Sequence, residues 1–175
     1  RFYIPRENML ERARRDRVPY DAWARDGLVT ATPGDVIDFE FILHDIGEMR
    51  KRYQIAEIAF DRWGATSIAQ RLMEMGGENW LVEFGQGYAS MAGPTKELLR
   101  LVMERKIAHG GNPVLRWMAD NVVVREDPAG NVKPDKGKSR EKIDGVVAAI
   151  MGLARALLGG GVKTTVYATR GLREL

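Results

Sequence analysis

The chain has 175 residues, of which 45% are hydrophobic and 29% charged, and its net charge is +3. This composition predicts one ordinary globular domain. The absence of cysteine excludes disulfides, zinc–thiolate sites and thiol catalysis. The longest apolar run, 146–154, is far shorter than the roughly 20 residues that a membrane span needs. With two histidines only, carboxylates are the expected metal ligands, which favours Mg²⁺ or Mn²⁺.

Strands and helices alternate through the first part of the sequence. Short strands are predicted at 2–4 and 28–31, with helices at 7–17 and 21–26 between them. Asp38 is expected to cap a helix that runs to about residue 52, since apolar side chains recur there at helical spacing.

The middle of the sequence continues this alternation. Residues 55–60 are apolar and rich in β-branched side chains, which favours a central strand. A helix at 64–75, a strand at 80–84, a loop at 85–88 and a helix at 94–106 are predicted next. The fold class is therefore expected to be α/β, with a mixed central sheet and helices on both of its faces.

The last part of the sequence contains a short helix, a hairpin and a long helix. The helix is predicted at 113–120, and the hairpin joins 122–125 to 132–133 through a turn that contains Pro128 and Gly130. Apolar residues at helical spacing predict a final helix at 139–158, the strongest periodic signal in the chain.

Asp61 and Asp144 are the candidate catalytic and metal-binding residues. Asp61 follows the predicted central strand, at the edge where open α/β sheets bind ligands, although a strand-end Asp also makes turns or caps helices. Asp144 lies in the first two turns of the final helix, where we expect a partly buried carboxylate that needs a cation. A favourable helix N-terminus or a surface pair with Lys142 is the alternative. Two such carboxylates could share divalent ions over a phosphodiester, with a third acid needed to hold two ions.

Several polar residues are candidates for contacts with nucleic acid. Two basic segments, 1–25 and 133–142, could face DNA phosphates or form a solvated surface. Gln86, in a glycine-flanked loop, is a candidate DNA contact, and the alternative is that this loop only makes a turn. The other candidate DNA contacts are the basic side chains Lys138, Arg140 and Lys142. His109 is a candidate accessory base or metal ligand, or a structural hydrogen-bonding residue. The segment 137–139 is similar to the end of a P-loop, but Val132 stands where the pattern needs Gly, which excludes ATP binding there.

Four segments in chain order resemble the C-terminal nuclease domain of the tailed-phage terminase large subunit. They are Ile-Ala-Phe-Asp-Arg-Trp at 58–63, Phe-Gly-Gln-Gly at 84–87, His-Gly-Gly-Asn-Pro-Val-Leu at 109–115, and Lys-Ser-Arg-Glu-Lys-Ile-Asp-Gly at 138–145. The tail, with Tyr167 and Arg170, also resembles that family's ending. Each motif alone is modest, but the ordered set is fairly specific.

The resemblance implies a ribonuclease-H-like fold and an endonuclease that cuts concatemeric double-stranded DNA with two Mg²⁺ or Mn²⁺ ions. Asp61 matches the family's strand-end acid, and Asp144 matches the acid of its last helix. The implied partners are double-stranded DNA, an upstream ATPase domain of the same polypeptide, the small terminase subunit and the portal of the procapsid, with no membrane. The implied location is the host cytoplasm during virus assembly, for a phage or a prophage.

The sequence departs from the family pattern at its start. The family's first acid lies on the first strand of the fold, and this chain begins with Arg1, after that strand. We therefore expect 1–158 to be an N-terminally truncated nuclease domain, which puts its activity alone in question, and 159–175 to be a glycine-hinged tail. Two other interpretations stay open: a non-catalytic DNA-gripping or portal-docking module, and another ribonuclease-H-like enzyme such as a transposase or resolvase.

Overall fold

The structure is a computed structural model, and it describes residues 1–61, 66–77 and 80–159. Within these ranges the chain forms short strands connected mostly by α-helices. The strands are β1 (Tyr3–Pro5), β2 (Thr30–Thr32), β3 (Ile58–Phe60), β4 (Leu81–Glu83), β5 (Val124–Glu126) and β6 (Val132–Pro134). The helices are α1 (Met9–Asp16), α2 (Tyr20–Arg25), α3 (Phe39–Arg52), α4 (Thr66–Leu72), α5 (Tyr88–Met103), α6 (Pro113–Asp120) and α7 (Asp144–Leu157). A π-helical turn, Met73–Gly77, follows α4.

The α/β class is confirmed, but the single mixed sheet is not found among these residues. β1 pairs with β2 and β3 with β4 in parallel, while β5 and β6 form an antiparallel hairpin, so there are three separate two-stranded sheets. The two parallel pairs pack on different hydrophobic clusters, and no described strand is hydrogen-bonded to both. The predicted hairpin is confirmed, with Arg125 opposite Lys133.

The core of the described residues consists of three hydrophobic clusters. The first surrounds β1 and α2 and contains Ile4, Val18, Tyr20, Trp23, Val29, Val114 and Met118. The second lies between α5 and α7 and contains Phe84, Met91, Ile143, Val147, Ile150, Met151 and Ala154. The third joins α3 to α4 through Leu43, Ile46 and Leu72. Val146 of α7 packs against both the first and the second cluster, so this helix connects the two clusters.

Helix α5 begins earlier than its sequence predicts. The loop at 85–88 was expected to separate β4 from a helix at 94, but α5 begins at Tyr88 and contains Pro94. Gly87 has an extended backbone and its carbonyl accepts a hydrogen bond from Met91 N, which begins the helix. Met91 is only 2% exposed in the second cluster, and this burial offsets the hydrogen bond that a helical proline cannot donate. None of the described helices is long and apolar enough to cross a membrane.

Asp38 caps α3, as predicted, and its removal provides a test of the fold. The Asp38 carboxylate accepts a hydrogen bond from Glu40 N at 2.9 Å. Asp38→Ala leaves that N–H without its acceptor, and we expect it to lower the free energy of unfolding by about 1 kcal/mol. Asp38→Ser keeps a capping oxygen and is the control. Urea unfolding measures both, and an Asp38→Ala protein as stable as the parent would contradict the capping role.

Candidate active site

Asp61 lies directly after β3, and its carboxylate is held by a side chain from the neighbouring strand end. β3 and β4 are parallel, with Phe60 opposite Glu83, so the residues that follow them meet at one edge. Phe84 N donates to the Phe60 carbonyl at 2.8 Å and extends this pairing. Two residues later, Gln86 Nε2 donates to Asp61 Oδ2 at 2.9 Å. The parallel pair therefore brings the predicted acid and the glycine-flanked loop together.

Asp144 is the first residue of α7, because the helix begins five residues later than predicted. The segment 139–143 forms bends and irregular backbone instead of a first helical turn. The Asp144 side chain is consequently 65% exposed, so the expectation of a partly buried carboxylate was wrong. The expected cation is present: Lys136 Nζ lies 2.9 Å from Asp144 Oδ1. The predicted surface partner was Lys142, and the structure has Lys136 in that role.

Asp135 stabilises a turn immediately before residue 139, where α7 was predicted to begin. Its Oδ1 accepts hydrogen bonds from the backbone N–H groups of Gly137, at 3.0 Å, and Lys138, at 3.3 Å. Ser139 donates to the Asp135 carbonyl through Oγ at 2.7 Å, and this Oγ accepts from Val123 N at 3.2 Å. Asp and Ser side chains compete in this way with helical hydrogen bonds. The resulting turn ties the segment to β5 and places Lys136 beside Asp144.

The partners of the two acids meet at one cavity. Gln86, which binds Asp61, and Lys136, which binds Asp144, both line a cavity of about 220 Å³. Its charged lining side chains are Arg125, Lys133, Asp135 and Lys136. Asp144 itself lines a second, larger cavity of about 620 Å³, together with Lys142. One partner of each acid therefore lines this small basic cavity, although neither Asp61 nor Asp144 lines it.

Lys133 connects this cavity to the loop that carries Gln86. Its ammonium donates to the backbone carbonyl of Gln86 and lies 5.5 Å from the centre of the Tyr88 ring. The Arg125 guanidinium lies 5.3 Å from the same ring. Burial, and next the positive charge of Arg125, lower the pKa of Lys133. Tyr88 thus accepts two cation–π contacts, one from each strand of the hairpin.

Comparison with known proteins then identifies the family. Residues 2–160 match the family model of the terminase large subunit, endonuclease domain. The chain belongs to this family. It is 39% identical over 155 residues to the terminase large subunit of Enterobacteria phage HK97, covering 89% of this chain and 31% of that protein. It is 32% identical over 164 residues to Protein YmfN of Escherichia coli K12, covering 90% and 36%.

A solved structure agrees with this assignment of the terminase nuclease domain. The crystal structure of the HK97 bacteriophage large terminase superposes with a TM-score of 0.80 at 39% identity, over 87% of this chain and 32% of that one. The chain thus spans about a third of the length of the relatives that it matches.

The terminase nuclease domain offers metal ligands of the right kind at two positions. Carboxylate oxygens, which Mg²⁺ and Mn²⁺ prefer, are present at Asp61 and Asp144. Across residues 1–61, 66–77 and 80–159, however, no three His, Cys, Asp or Glu side chains form a group that could hold a metal ion. The donors therefore fit divalent cations in chemistry, while the predicted third acid is not found among them.

The other predicted site residues of the terminase nuclease domain lie at the surface. Lys138, Arg140 and Lys142 are exposed, in and after the Asp135 turn. His109 is exposed in the loop before α6, where its carbonyl accepts a hydrogen bond from Asn112 N at 3.4 Å. It lines neither of the two cavities. Trp63, in the first resembling segment, and the tail that begins at residue 160 lie outside the described residues.

Three residues of this site were not singled out by sequence reasoning. Lys133 appeared as part of the predicted hairpin, and all three residues, Lys133, Asp135 and Lys136, belonged to a basic segment that was assigned to DNA phosphates or solvent. The one signal in the sequence was their position between a hairpin and the Lys-Ile-Asp motif. Their contacts with Gln86 and Asp144 depend on how β6 packs against α5, which no local pattern reveals.

Proposed function

We propose that this chain is the nuclease domain of a viral DNA-packaging terminase and hydrolyses phosphodiester bonds of concatemeric double-stranded DNA with two Mg²⁺ or Mn²⁺ ions. The observation that carries the proposal is the common cavity of Gln86 and Lys136, the partners of Asp61 and Asp144. Membership of the endonuclease-domain family supports it. A transposase or resolvase is not favoured, because residues 2–160 match the family model of the terminase large subunit, endonuclease domain.

Asp61 and Asp144 would supply carboxylate oxygens to the ions. Bound divalent ions activate a water molecule and stabilise the leaving oxygen of a phosphodiester. Gln86 Nε2 occupies one side of Asp61 Oδ2 and so fixes the direction of that carboxylate. Lys136 neutralises Asp144 and would leave its Oδ1 when a divalent cation takes that place.

The basic side chains around the site would hold the DNA backbone. Lys138, Arg140 and Lys142 are exposed in the segment that leads to Asp144. Ammonium and guanidinium groups bind phosphate without regard to base sequence and position the duplex. Gln86 would meet the backbone at the cleavage point, because it lines the cavity beside Asp61.

The wider assignment rests on the family. We propose a ribonuclease-H-like arrangement for the domain, with 1–158 as its nuclease part and 159–175 as a glycine-hinged tail. We also propose that it works beside an ATPase domain of the same polypeptide, with the small terminase subunit and the portal of the procapsid as partners. Its place would be the host cell during virus assembly, from a phage or a prophage, with no membrane partner.

A second candidate function is a DNA-gripping or portal-docking module without catalysis. Two observations favour it: the described residues contain no group of three metal ligands, and a lysine neutralises Asp144. A divalent ion would then have no complete binding site among the described residues, while the exposed basic side chains would still bind phosphate.

Nicking of supercoiled plasmid separates the two functions. The 175-residue chain is incubated with plasmid in Mn²⁺, in Mg²⁺ and in EDTA, and its DNA binding is measured in parallel at several salt concentrations. Nicking with the divalent ion, abolished by EDTA, is the expected result. Salt-sensitive binding without nicking in either metal would overturn the nuclease proposal and support the module.

A further inference from the structure

Two successive contacts lead from the hairpin to the first candidate acid. Lys133 on β6 donates to the backbone carbonyl of Gln86, 47 residues away in the sequence. The side chain of the same Gln86 donates to Asp61 Oδ2 at 2.9 Å. The Gln86 residue is therefore held at its backbone by Lys133 and in turn holds the Asp61 carboxylate.

The loop that carries Gln86 needs such support. Gly85 and Gly87 flank it, and glycine leaves the backbone more conformational freedom than any other residue. A side chain added at Gly87 would meet nothing within 4 Å, and one at Gly85 only Ser90 Oγ at 3.7 Å, so packing restrains the loop weakly. A hydrogen bond from a charged donor to the Gln86 carbonyl supplies the missing restraint.

The surroundings of Lys133 hold its ammonium in place. The side chain is half-buried, and its Nζ lies over the Tyr88 ring in the first turn of α5. Arg125 opposite it on β5 contacts the same ring and keeps the hairpin against α5. Burial lowers the pKa of Lys133, which is the cost of withdrawing the charge from water. A lysine placed there to bind DNA directly would extend into solvent instead.

We propose that Lys133 is a positioning residue of this site, which acts through Gln86 to fix the Asp61 carboxylate for the divalent ion. The effect on divalent-ion binding rests on the proposed nuclease function. The two hydrogen bonds, from Lys133 to Gln86 and from Gln86 to Asp61, form a relay that can be measured without any DNA cleavage. Partners that orient metal-binding side chains typically change metal affinity or activity roughly 10- to 100-fold when removed, and we expect a value near the lower end, about tenfold.

The test compares Lys133→Met with Lys96→Met. Methionine keeps most of the length of the side chain and removes the donor. Lys96 is a lysine of α5 whose loss changes the net charge equally. Two readouts are used: the NMR resonances of the Gln86 side-chain amide, and the Mn²⁺ concentration at half-maximal nicking. Lys133→Met is expected to shift the amide resonances toward those of a free glutamine and to raise the Mn²⁺ midpoint about tenfold. Lys133→Arg, which can still donate, should restore most of both.

A double variant asks whether Lys133 acts through Gln86. Gln86→Ala removes the contact with Asp61, so adding Lys133→Met to it should raise the Mn²⁺ midpoint little further. Fully additive effects would overturn the relay, and so would amide resonances and a midpoint equal to those of Lys96→Met. If Lys133→Met does not fold, the Mn²⁺ midpoint of Gln86→Ala, at a partly exposed position, and the two readouts of Lys133→Arg decide whether the relay exists. If the parent chain does not nick DNA, the proposed function fails, and the amide resonances alone still decide whether Lys133 holds Gln86.

Discussion

Replacing Asp61 or Asp144 by asparagine is expected to reduce metal-dependent nicking by about a hundredfold or more. Each variant removes one carboxylate charge from the site while keeping the size of the side chain. Loss of about 3 kcal/mol of transition-state stabilisation by a bound cation corresponds to roughly a hundredfold in rate. The measurement is the rate of plasmid nicking at saturating Mn²⁺ and the Mn²⁺ concentration at half-maximal rate.

The structure suggests that the two asparagine variants keep the fold. Asp61→Asn retains a side-chain oxygen that can accept from Gln86 Nε2, and the Asp144 side chain is 65% exposed. Both variants should therefore unfold close to the parent temperature. Asp120→Asn, at the exposed end of α6, removes the same charge and is the control. Undiminished nicking by either site variant would remove that acid from the proposed mechanism, and undiminished nicking by both would overturn it.

Gly145→Ala is expected to destabilise the protein by about 1–3 kcal/mol. A Cβ at Gly145 would lie 2.7 Å from Phe2 Cε1 and 2.8 Å from Met118 Sδ. Met118 is a buried member of the first cluster, and Phe2 packs against that cluster. Phe2 and Met118 would have to shift to admit the methyl group, which opens their packing against the start of α7. Since Gly145 follows Asp144 directly, the same displacement should also lower nicking.

Gly152→Ala on the same helix is the matched control, and it should have the opposite sign. A Cβ there would meet nothing within 4 Å. Alanine restricts the unfolded chain and favours the helix, so we expect a gain of about 0.4–1 kcal/mol. Thermal or urea unfolding of both variants measures the difference. Equal stabilisation by the two alanines would show that Phe2 and Met118 do not pack against the start of α7.

Local patterns in the sequence predicted the features that neighbouring residues determine. The Asp38 cap of α3, the β5–β6 hairpin and the α6 helix are each encoded within a few residues, and the structure confirms them. Asn112 before Pro113 is one example, since its side chain accepts from Leu115 N at 3.0 Å and begins α6. The position of Asp61 after a strand could be predicted for the same reason, because the strand pattern lies in the residues directly before it.

Periodicity was less reliable where side chains compete with the backbone. The apolar repeat of α7 predicted a helix from residue 139, but repeats report which face is buried and not where the helix begins. Asp135 and Ser139 hold residues 135–139 in a turn, and the helix begins only at Asp144, whose carboxylate is exposed. The prediction of one central sheet was also wrong among the described residues, which form three two-stranded sheets. The residue pattern of a strand does not state which other strand it pairs with.

The sequence by itself determined the α/β class, the family motifs and the two candidate acids, because spacing and residue type along the chain encode them. The tertiary structure alone decided what surrounds those acids: Gln86 on Asp61, Lys136 on Asp144 and Lys133 on the Gln86 carbonyl. Contacts such as that between Lys133 and Gln86, 47 residues apart, form only when β6 packs against α5. This packing joins elements that are far apart in the sequence, and no local preference of the residues involved specifies its geometry.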